Sequence, residues 1–309
     1  MHGRASSRLL RFALMTSALI LTVGQWLMWS LHTSSFDESS AVVASAAQAG
    51  VPITVAVGRT PGGPSEWTTY AAVLGELQKD LGRPVKVRYA LTRPDITRVV
   101  LDREADLAFV PTWVYLITKD EGAAQLVAAP IVSGTRWESA ALVVSASSDI
   151  SSIDDLRGKR VLLFSDSLPG EAFLYWLFDQ RAEDPHEHFS AVIPGGTQEQ
   201  NLADVFTGRA DATLVNRSSL ARWPAGTFRI VVESPEFATP PLVARADLDS
   251  ETLAAVRESV LRADKEGVID SDSSLDGFSV VTDEDYAFSR ELARYVDESA
   301  LRLDGEQGR

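Results

Sequence analysis

The N-terminal part of the chain carries an apolar segment that is unlike the rest of the sequence. Residues 12–31 contain no charged side chain over 20 positions. As a helix they would be roughly 30 Å long, the thickness of a hydrocarbon core. No polar face is visible, which disfavours a buried helix of a soluble domain. Arg4, Arg8 and Arg11 precede the segment. The positive-inside rule therefore puts the N-terminus in the cytoplasm and the remainder outside.

Two interpretations of this segment remain open. A cleaved signal peptide needs a small-x-small site soon after its apolar stretch. Residues 44–46 and 47–49 have that chemistry, but they lie some distance beyond Leu31. The length of the apolar run favours an uncleaved signal anchor. Residues 1–32 are thus predicted to be a signal anchor or signal peptide. Residues 33–50, rich in Ser and Ala, are predicted to be a flexible tether.

From residue 53 onward, short β-branched runs alternate with amphipathic stretches. The spacing of Tyr70, Leu74, Leu77 and Leu81 places one apolar face on a helix that begins near residue 66. Further helices are predicted from residues 95, 171, 197, 251 and 283, the last reaching about residue 301. The predicted strands are 53–57, 85–89, 107–110, 140–144, 160–164, 189–193, 212–215, 228–232 and 242–244. This alternation is typical of parallel sheets with helices outside, here in two α/β lobes.

Composition and charge exclude several classes of protein. The chain has 309 residues, with 43 acidic and 29 basic side chains, a net charge of -14, and no cysteine. Without cysteine there is no disulfide and no thiolate metal site. Binding to nucleic acid needs a basic surface, so the acidity argues against it.

Motifs for catalysis, cofactors and metals are largely missing from the sequence. There is no G-x-S-x-G, H-E-x-x-H, G-x-G-x-x-G or Walker A string. We therefore expect no enzyme and no cofactor, with a Ser/His/Asp hydrolase as a remote alternative. His186 and His188 are spaced to share a zinc ion, but a solvated polar loop is the preferred interpretation. Residues 270–283 imitate a calcium loop, and a polar turn is preferred there as well. No metal site is predicted.

The polar junctions between strands and helices are the candidate ligand-binding sites of this chain. They span residues 59–65, 91–95, 166–171, 195–200 and 216–218. Backbone N–H groups at a helix start can hold an anion or a polar ligand. Hydroxyl and amide side chains pair with ligand oxygens, and a guanidinium would favour an anion. The predicted ligand-binding residues are Thr60, Thr92, Tyr115, Trp137, Ser167, Gly170, Thr197, Asn216 and Arg217.

Several segments resemble one known family, and they keep that family's order. They are WESAALVV at 137–144, IDDLRGKRV at 153–161, ADLAF at 105–109, ADVFTGRAD at 203–211 and GFSVVTDEDY at 277–286. Together they resemble the phosphate-, phosphite- and phosphonate-binding family of periplasmic solute-binding proteins of ABC importers. The resemblance covers roughly residues 52 to 295, and it is the order and spacing that carry it.

The resemblance implies a type II periplasmic-binding-protein fold. Two α/β lobes, each with a mixed sheet flanked by helices, would be joined by two crossing strands and would close on a ligand. Lobe 1 would comprise residues 51–138 and 243–300, lobe 2 residues 139–242, and residues 301–309 a tail.

The family's anion-binding loop is where the sequence departs from the pattern. Members usually carry a Ser/Thr-rich loop after the strand that corresponds to residues 161–164. Here the loop is DSLPG at 166–170, in which Ser167 remains a donor and Pro169 lacks a backbone N–H. A histidine that often follows the glycine pair of the next loop is replaced by Thr197. We therefore expect the fold to be retained and the phosphonate signature to be eroded.

The resulting expectation is an extracytoplasmic solute-binding protein for an ABC importer, membrane-anchored by residues 12–31. Its ligand would be small and polar or anionic, either phosphonate-like or a diverged relative. An ABC permease would be its partner. The alternative is a membrane-anchored sensing ectodomain with a signalling partner; no nucleic-acid partner is expected.

Overall fold

The computed structural model describes residues 50–58, 66–164, 168–263, 267, 269 and 275–295. The predicted anchor, and the predicted site residues Thr60 and Ser167, lie outside these ranges. Among the residues described, no helix is both long and apolar enough to cross a membrane.

Strands and helices alternate along the described chain. The strands are β1 (Ile53–Gly58), β2 (Val85–Ala90), β3 (Leu107–Phe109), β4 (Ala124–Val132), β5 (Trp137–Glu138), β6 (Ala140–Ser145), β7 (Arg160–Leu163), β8 (Ala191–Pro194), β9 (Ala212–Asn216), β10 (Phe228–Glu233), β11 (Phe237–Ala238), β12 (Leu242–Arg245) and β13 (Leu275–Ser279). The helices are α1 (Glu66–Leu81), α2 (Arg93–Leu101), α3 (Thr112–Asp120), α4 (Leu168–Gln180), α5 (Pro185–His188), α6 (Gln198–Phe206), α7 (Ser250–Arg262) and α8 (Ala287–Leu292). Short 3₁₀ turns cover Asp154–Leu156, Arg217–Arg222, Asp283–Tyr286 and Ala293–Tyr295.

The strands form two large sheets, and both are mixed. The first has the order β13-β4-β12-β3-β1-β2, with β1 parallel to β2 and β3, and β12 antiparallel to β3 and β4. The second has the order β10-β6-β9-β7-β8, with β7 parallel to β8 and β9, and β6 antiparallel to β9 and β10. Parallel neighbours need crossover connections, and helices supply them.

A two-stranded ribbon connects the two sheets. β5 lies between β4 and β6 in the chain, and β11 lies between β10 and β12. The two pair antiparallel, with Phe237 opposite Glu138 and Ala238 opposite Trp137. The chain therefore leaves the first sheet and returns to it through two hydrogen-bonded crossing strands.

Apolar burial fixes the helices on the first sheet. Ile53 and Val55 of β1 belong to one buried cluster with Leu77 of α1 and Val256 and Val260 of α7. These positions recur at the periods of a strand and of a helix, so the pattern in the sequence predicts this packing.

The C-terminal segment 283–295 contacts α3, which follows a strand of the first sheet, and α4, which follows a strand of the second. Arg290 donates from Nη1 to Asp120 of α3 at 2.8 Å. Glu291 accepts from Trp176 Nε1 of α4 at 2.7 Å, and the Tyr295 hydroxyl donates to Asp179 at 2.6 Å. The segment is a 3₁₀ turn, a short helix and a second 3₁₀ turn. Within its described part, the continuous helix predicted from residue 283 is therefore wrong.

Two local expectations are corrected by the structure. The sequence pattern predicts no helix between the strands 107–110 and 140–144, whereas the structure has α3 there, with Pro111 as its N-cap. α4 begins at Leu168 rather than at residue 171, so Gly170 lies in its first turn and not in a loop. Proline is tolerated in the first helical turn, because the N–H it lacks has no partner there.

His188 is a correction of a different kind. Its side chain is 1% exposed instead of solvated, and it ends the one-turn helix α5. Nδ1 lies 3.1 Å from Glu183 Oε2 and Nε2 lies 2.9 Å from the Ile153 carbonyl oxygen. Both ring nitrogens therefore have polar partners inside the fold, and His188 has a structural place there instead of lying in a solvated loop.

Candidate functional site

The junction after β9 is held by a carboxylate from the crossing strand. Glu138 Oε1 accepts from the backbone N–H groups of Ser139 at 3.0 Å and Ser218 at 3.2 Å. Its Oε2 accepts from the Ser218 hydroxyl. Ser218 lies at the start of the 3₁₀ turn Arg217–Arg222, where backbone N–H groups lack partners within the turn. Glu138 therefore satisfies the donors at the start of this turn.

Burial raises the pKa of the Glu138 carboxyl above its ordinary value. The hydrogen bonds from Ser218 and Ser139 act in the opposite direction, because they favour the charged form, but they only partly offset it. Raised pKa values occur both at binding sites and in structural networks, so the shift alone does not assign a role to this carboxyl.

Arg217 is paired close to Glu138. Both belong to a connected group of residues that we call the wall: Trp137, Glu138, Ser139, Thr197, Gln198, Asn216, Arg217, Ser218 and Glu233. Its Nη1 donates to both carboxylate oxygens of Glu233, at 2.8 and 2.7 Å. The Ser139 hydroxyl donates to Glu233 Oε1 at 2.5 Å. The hydrogen bond from Arg217 is the main reason that the pKa of Glu233 is lowered. The guanidinium that would have favoured an anionic ligand is thus already neutralised by a carboxylate.

The junction after β8 is satisfied by side chains of its own helix. Thr197 Oγ1 accepts from the N–H of Gln200 at 3.3 Å, and Gln200 Oε1 accepts from the N–H of Thr197 at 2.9 Å. Asn201 Oδ1 accepts from the N–H of Gly196 at 2.9 Å. This is a capping box with one additional cap, so these three donors are not available to a ligand. Gly195 permits the approach, since a Cβ there would clash with the Asn201 amide.

Gln198 links the two junctions. Its side chain is fully buried, and its Oε1 accepts from the N–H of Asn216 at 2.5 Å and from the Ser219 hydroxyl at 2.9 Å. Its amide Nε2 is buried without a hydrogen-bond partner in the part of the chain that is described. Most buried polar groups in native proteins are paired, so this donor calls for an explanation.

Four of the predicted site residues lie in this connected wall. Thr197 precedes Gln198, Asn216 donates to it, Arg217 follows Asn216, and Trp137 precedes Glu138 on the crossing strand. Trp137 also receives the Arg136 guanidinium, 4.7 Å above its ring. Their role in binding stays a prediction.

Tyr115 and Thr92 have other surroundings. Tyr115 is fully buried; its ring lies 4.9 Å from that of Tyr286, and its hydroxyl donates to Asp283. Burial raises the pKa of the Tyr115 hydroxyl. Thr92 is the N-cap of α2 and accepts from the N–H of Asp95 at 3.3 Å. Neither has a hydrogen bond to the wall described above among the contacts of the described residues.

Sequence reasoning missed Glu138, Gln198, Ser218 and Glu233. Glu138 stands inside a segment that the resemblance marks as a crossing, but nothing in the sequence aims its carboxyl at Ser218. Gln198 looks like an ordinary polar residue of a helix start. As to metals, the described residues include no cluster of three or more His, Asp and Glu side chains that could hold an ion.

The family model that matches the chain is that of the periplasmic substrate-binding protein of phosphonate ABC transporters, over residues 63–286. That span is well over half of the chain. None of the curated proteins matches the sequence.

Solved structures with the same fold are similar to this chain over most of its length. A Xanthomonas citri protein bound to ATP has a TM-score of 0.65 and 15% identity, covering 80% of this chain and 99% of its own. A binding-protein component of an ABC phosphonate transporter from Pseudomonas aeruginosa has a TM-score of 0.62 and 19% identity, covering 78% and 85%. PhnD1 from Prochlorococcus marinus, in complex with methylphosphonate, has a TM-score of 0.63 and 15% identity, covering 79% and 97%. The predicted fold class, with two lobes and two mixed sheets, is confirmed.

Proposed function

Because the chain belongs to the family of periplasmic substrate-binding proteins of phosphonate ABC transporters, we propose that it captures a small phosphonate or a related oxyanion between its two lobes. The chain is a solute-binding protein of an ABC transporter and acts outside the cytoplasm. Its family is one of transport proteins that bind substrate and deliver it to a permease, not one of enzymes.

The buried amide of Gln198 is the observation that carries the proposal. An N–H group that is buried without a partner costs about 1–3 kcal/mol. A bound oxyanion, reached directly or through a water molecule, would supply the missing acceptor. Gln198 also fixes the N–H of Asn216 and the hydroxyl of Ser219, so it is well placed to join the β8 and β9 junctions around one ligand.

The groups that bind the charged oxygens of the ligand should lie outside the β8 and β9 junctions, because most donors there already have partners. The N–H groups of Gly196, Thr197 and Gln200 have partners in their own helix. The N–H of Ser218 has Glu138, and Arg217 has Glu233. The loop before α4, with the predicted donor Ser167, is therefore our choice for the principal oxyanion contact, as the resemblance implies. A singly charged head group suits such a wall better than a dianion, because Glu138 and Glu233 add negative charge to it.

We also propose boundaries for the two lobes, which the crossing ribbon supports. We place lobe 1 at residues 51–138 and 243–300 and lobe 2 at 139–242, because β1–β4, β12 and β13 share one sheet and β6–β10 share the other. β5 and β11 then form the hinge, and Glu138 ties this hinge to lobe 2 through Ser218.

A matched pair of variants tests the ligand and its contact together. Methylphosphonate, phosphate, phosphite, acetate and ethylamine are titrated into the full chain, with melting temperature and calorimetric Kd as readouts. Gln198→Glu retains the acceptor for Asn216 and Ser219 but replaces the Nε2 donor with a charged oxygen. We expect methylphosphonate to stabilise the protein and its affinity to fall at least about tenfold in Gln198→Glu.

Glu199→Gln is the control, because Glu199 is the next residue and forms an exposed ion pair with Arg222. It should bind methylphosphonate as the natural protein does. Stabilisation by ethylamine alone would contradict the proposed ligand class. Full affinity in Gln198→Glu, with its fold intact by circular dichroism, would contradict the contact.

We also propose that residues 12–31 remain as a membrane anchor. The support is the 20-residue uncharged run preceded by Arg4, Arg8 and Arg11. The native protein should stay in the membrane fraction after a high-salt wash, because salt does not release apolar burial. A mature N-terminus near residue 50, found by mass spectrometry, would show cleavage instead.

A further inference from the structure

A groove on the outside of the first sheet is separate from the wall formed by Glu138 and Gln198. It lies between α2, α3 and the C-terminal segment, with a volume of about 830 Å³. Leu101, Trp113, Leu116 and Ile117 form an apolar floor. Its described lining includes no residue of the proposed solute site. Pockets for small molecules typically have volumes of about 300–1,000 Å³ and mostly apolar walls.

Guanidinium groups surround this floor. Arg93, Arg98, Arg290 and Arg294 line the groove in a chain whose net charge is -14. Arg98 is paired with Glu104 at 2.7 Å and Arg290 with Asp120 at 2.8 Å.

Arg294 differs from these two paired arginines. It is exposed, and among the residues described it has no hydrogen bond and no ion pair. It lies in the 3₁₀ turn that follows α8, and both it and Arg290 of α8 line the groove. Three carboxylates also line the groove. Asp120 pairs with Arg290, and Asp102 lies 3.9 Å from Arg98. Glu121 is the C-cap residue of α3 through its backbone N–H, and its exposed carboxylate has no ion pair among the residues described. Within the described part of the chain, Arg294 is thus a cation of the groove that is free to meet a ligand.

We propose that this groove is a second binding site, for an amphiphilic anion: a molecule with an apolar body and one carboxylate, sulfonate or phosphate group. The body would lie over Trp113 and Leu116, which are already buried, and would remove from water the apolar surface of the exposed Leu101 and the half-buried Ile117. The head group would bind Arg294, whose planar fork donates two hydrogen bonds to an oxyanion. The site is independent of the proposed function, because it uses other residues and other ligand chemistry.

Photolabelling of the full chain in lipid nanodiscs tests the proposal. The probes are a diazirine-bearing decanoic acid and its neutral primary amide, which differ only in the charge of the head group. After irradiation, labelled peptides are mapped by mass spectrometry. We expect saturable labelling of the peptides that contain Trp113–Ile117 and Ala293–Arg294 by the acid, displaced by unlabelled decanoate, with much weaker labelling by the amide.

Two variants and a control locate the binding. Arg294→Gln should weaken acid labelling about tenfold, the loss of one charge-assisted contact. Ala293→Trp fills the groove and should remove labelling while Arg294 is retained. Arg209→Gln removes an exposed arginine of lobe 2, paired with Asp204 at 2.9 Å, and should change nothing.

Three results would overturn the site. They are equal labelling by acid and amide, labelling that survives both groove variants, and displacement of the probe by methylphosphonate. The last would assign the probe to the solute cleft.

Discussion

The junctions after β8 and after β9 belong to one sheet, yet their backbone donors are satisfied from different distances along the chain. After β8, the partners of Thr197 and Gly196 are Gln200 and Asn201, three and five residues away. After β9, the N–H of Asn216 depends on Gln198, 18 residues away, and that of Ser218 on Glu138, 80 residues away. The first junction is built locally, and the second is built only when the crossing strand is in place.

This difference indicates which of the two junctions would change its hydrogen bonds if the proposed hinge moves. A movement of the crossing strands leaves the capping box of α6 unchanged, because its members are all in α6 and its cap. If the crossing strands act as the proposed hinge, their movement would separate the Glu138 carboxylate from the two donors of Ser218. The β9 junction is therefore the part of the wall that can respond to closure of the lobes.

The largest effect is expected at the residue that joins the two junctions. Gln198→Leu replaces the amide with an apolar group of similar size. It thereby removes the acceptor of the Asn216 N–H and of the Ser219 hydroxyl. Two donors lose their partner, at about 1–3 kcal/mol each, while the loss of the unpaired Nε2 offsets part of this cost. The free energy of unfolding should therefore fall by about 1–3 kcal/mol. Urea denaturation of the full chain measures it.

Glu199→Gln again serves for comparison, since an exposed ion pair contributes less than about 1 kcal/mol. If Gln198→Leu costs no more than Glu199→Gln, the link between the junctions has no energetic importance.

A smaller effect is expected at the locally built junction. Thr197→Ala removes the side-chain acceptor of the Gln200 N–H but leaves the second bond, which the N–H of residue 197 donates to Gln200 Oε1. The loss of an N-cap typically costs about 1 kcal/mol. Thr197→Ser keeps the hydroxyl and should stay within a few tenths of the natural protein. Equal losses in both variants, measured by urea denaturation, would mean that packing of the Thr methyl group and not capping matters.

The same contrast explains how much could be predicted from the sequence. The capping box is visible in the sequence as Thr197 and Gln200, three residues apart. The spacing of apolar residues also predicts which faces of α1 and β1 are buried. Glu138 could not be assigned to Ser218, because no pattern links positions 80 apart in the chain. For Tyr115 the reason is similar: an aromatic hydroxyl looks alike in a cleft and in a core. Its partner Asp283 lies 168 residues away.

The smallest effect concerns the carboxylates of the β9 junction, and it lies in their pH dependence. Burial holds the folded-state pKa of Glu138 above its ordinary value of 4.5. The stability that this group contributes is therefore fully present below the unfolded-state pKa and is lost as pH rises through the folded-state pKa. The neutral amide of a Glu138→Gln variant does not titrate. The stability of the natural protein relative to this variant should decrease as pH rises from about 4.5 toward neutrality.

Glu233→Gln, only one hydrogen-bonded serine away from Glu138, should behave in the opposite way. The hydrogen bond from Arg217 lowers the pKa of Glu233, so its contribution is present above the unfolded-state pKa and is lost as pH falls through the folded-state pKa. The stability of the natural protein relative to Glu233→Gln should thus increase with rising pH over the acidic range. Urea denaturation at a series of pH values, with both variants measured alongside the natural protein, gives the two slopes. Slopes of the same sign would mean that Glu138 is as well stabilised in its charged form as Glu233. The hydrogen bonds from Ser139 and Ser218 would then outweigh the burial of the Glu138 carboxyl, and the crossing strand would hold a stabilised anion at the β9 junction.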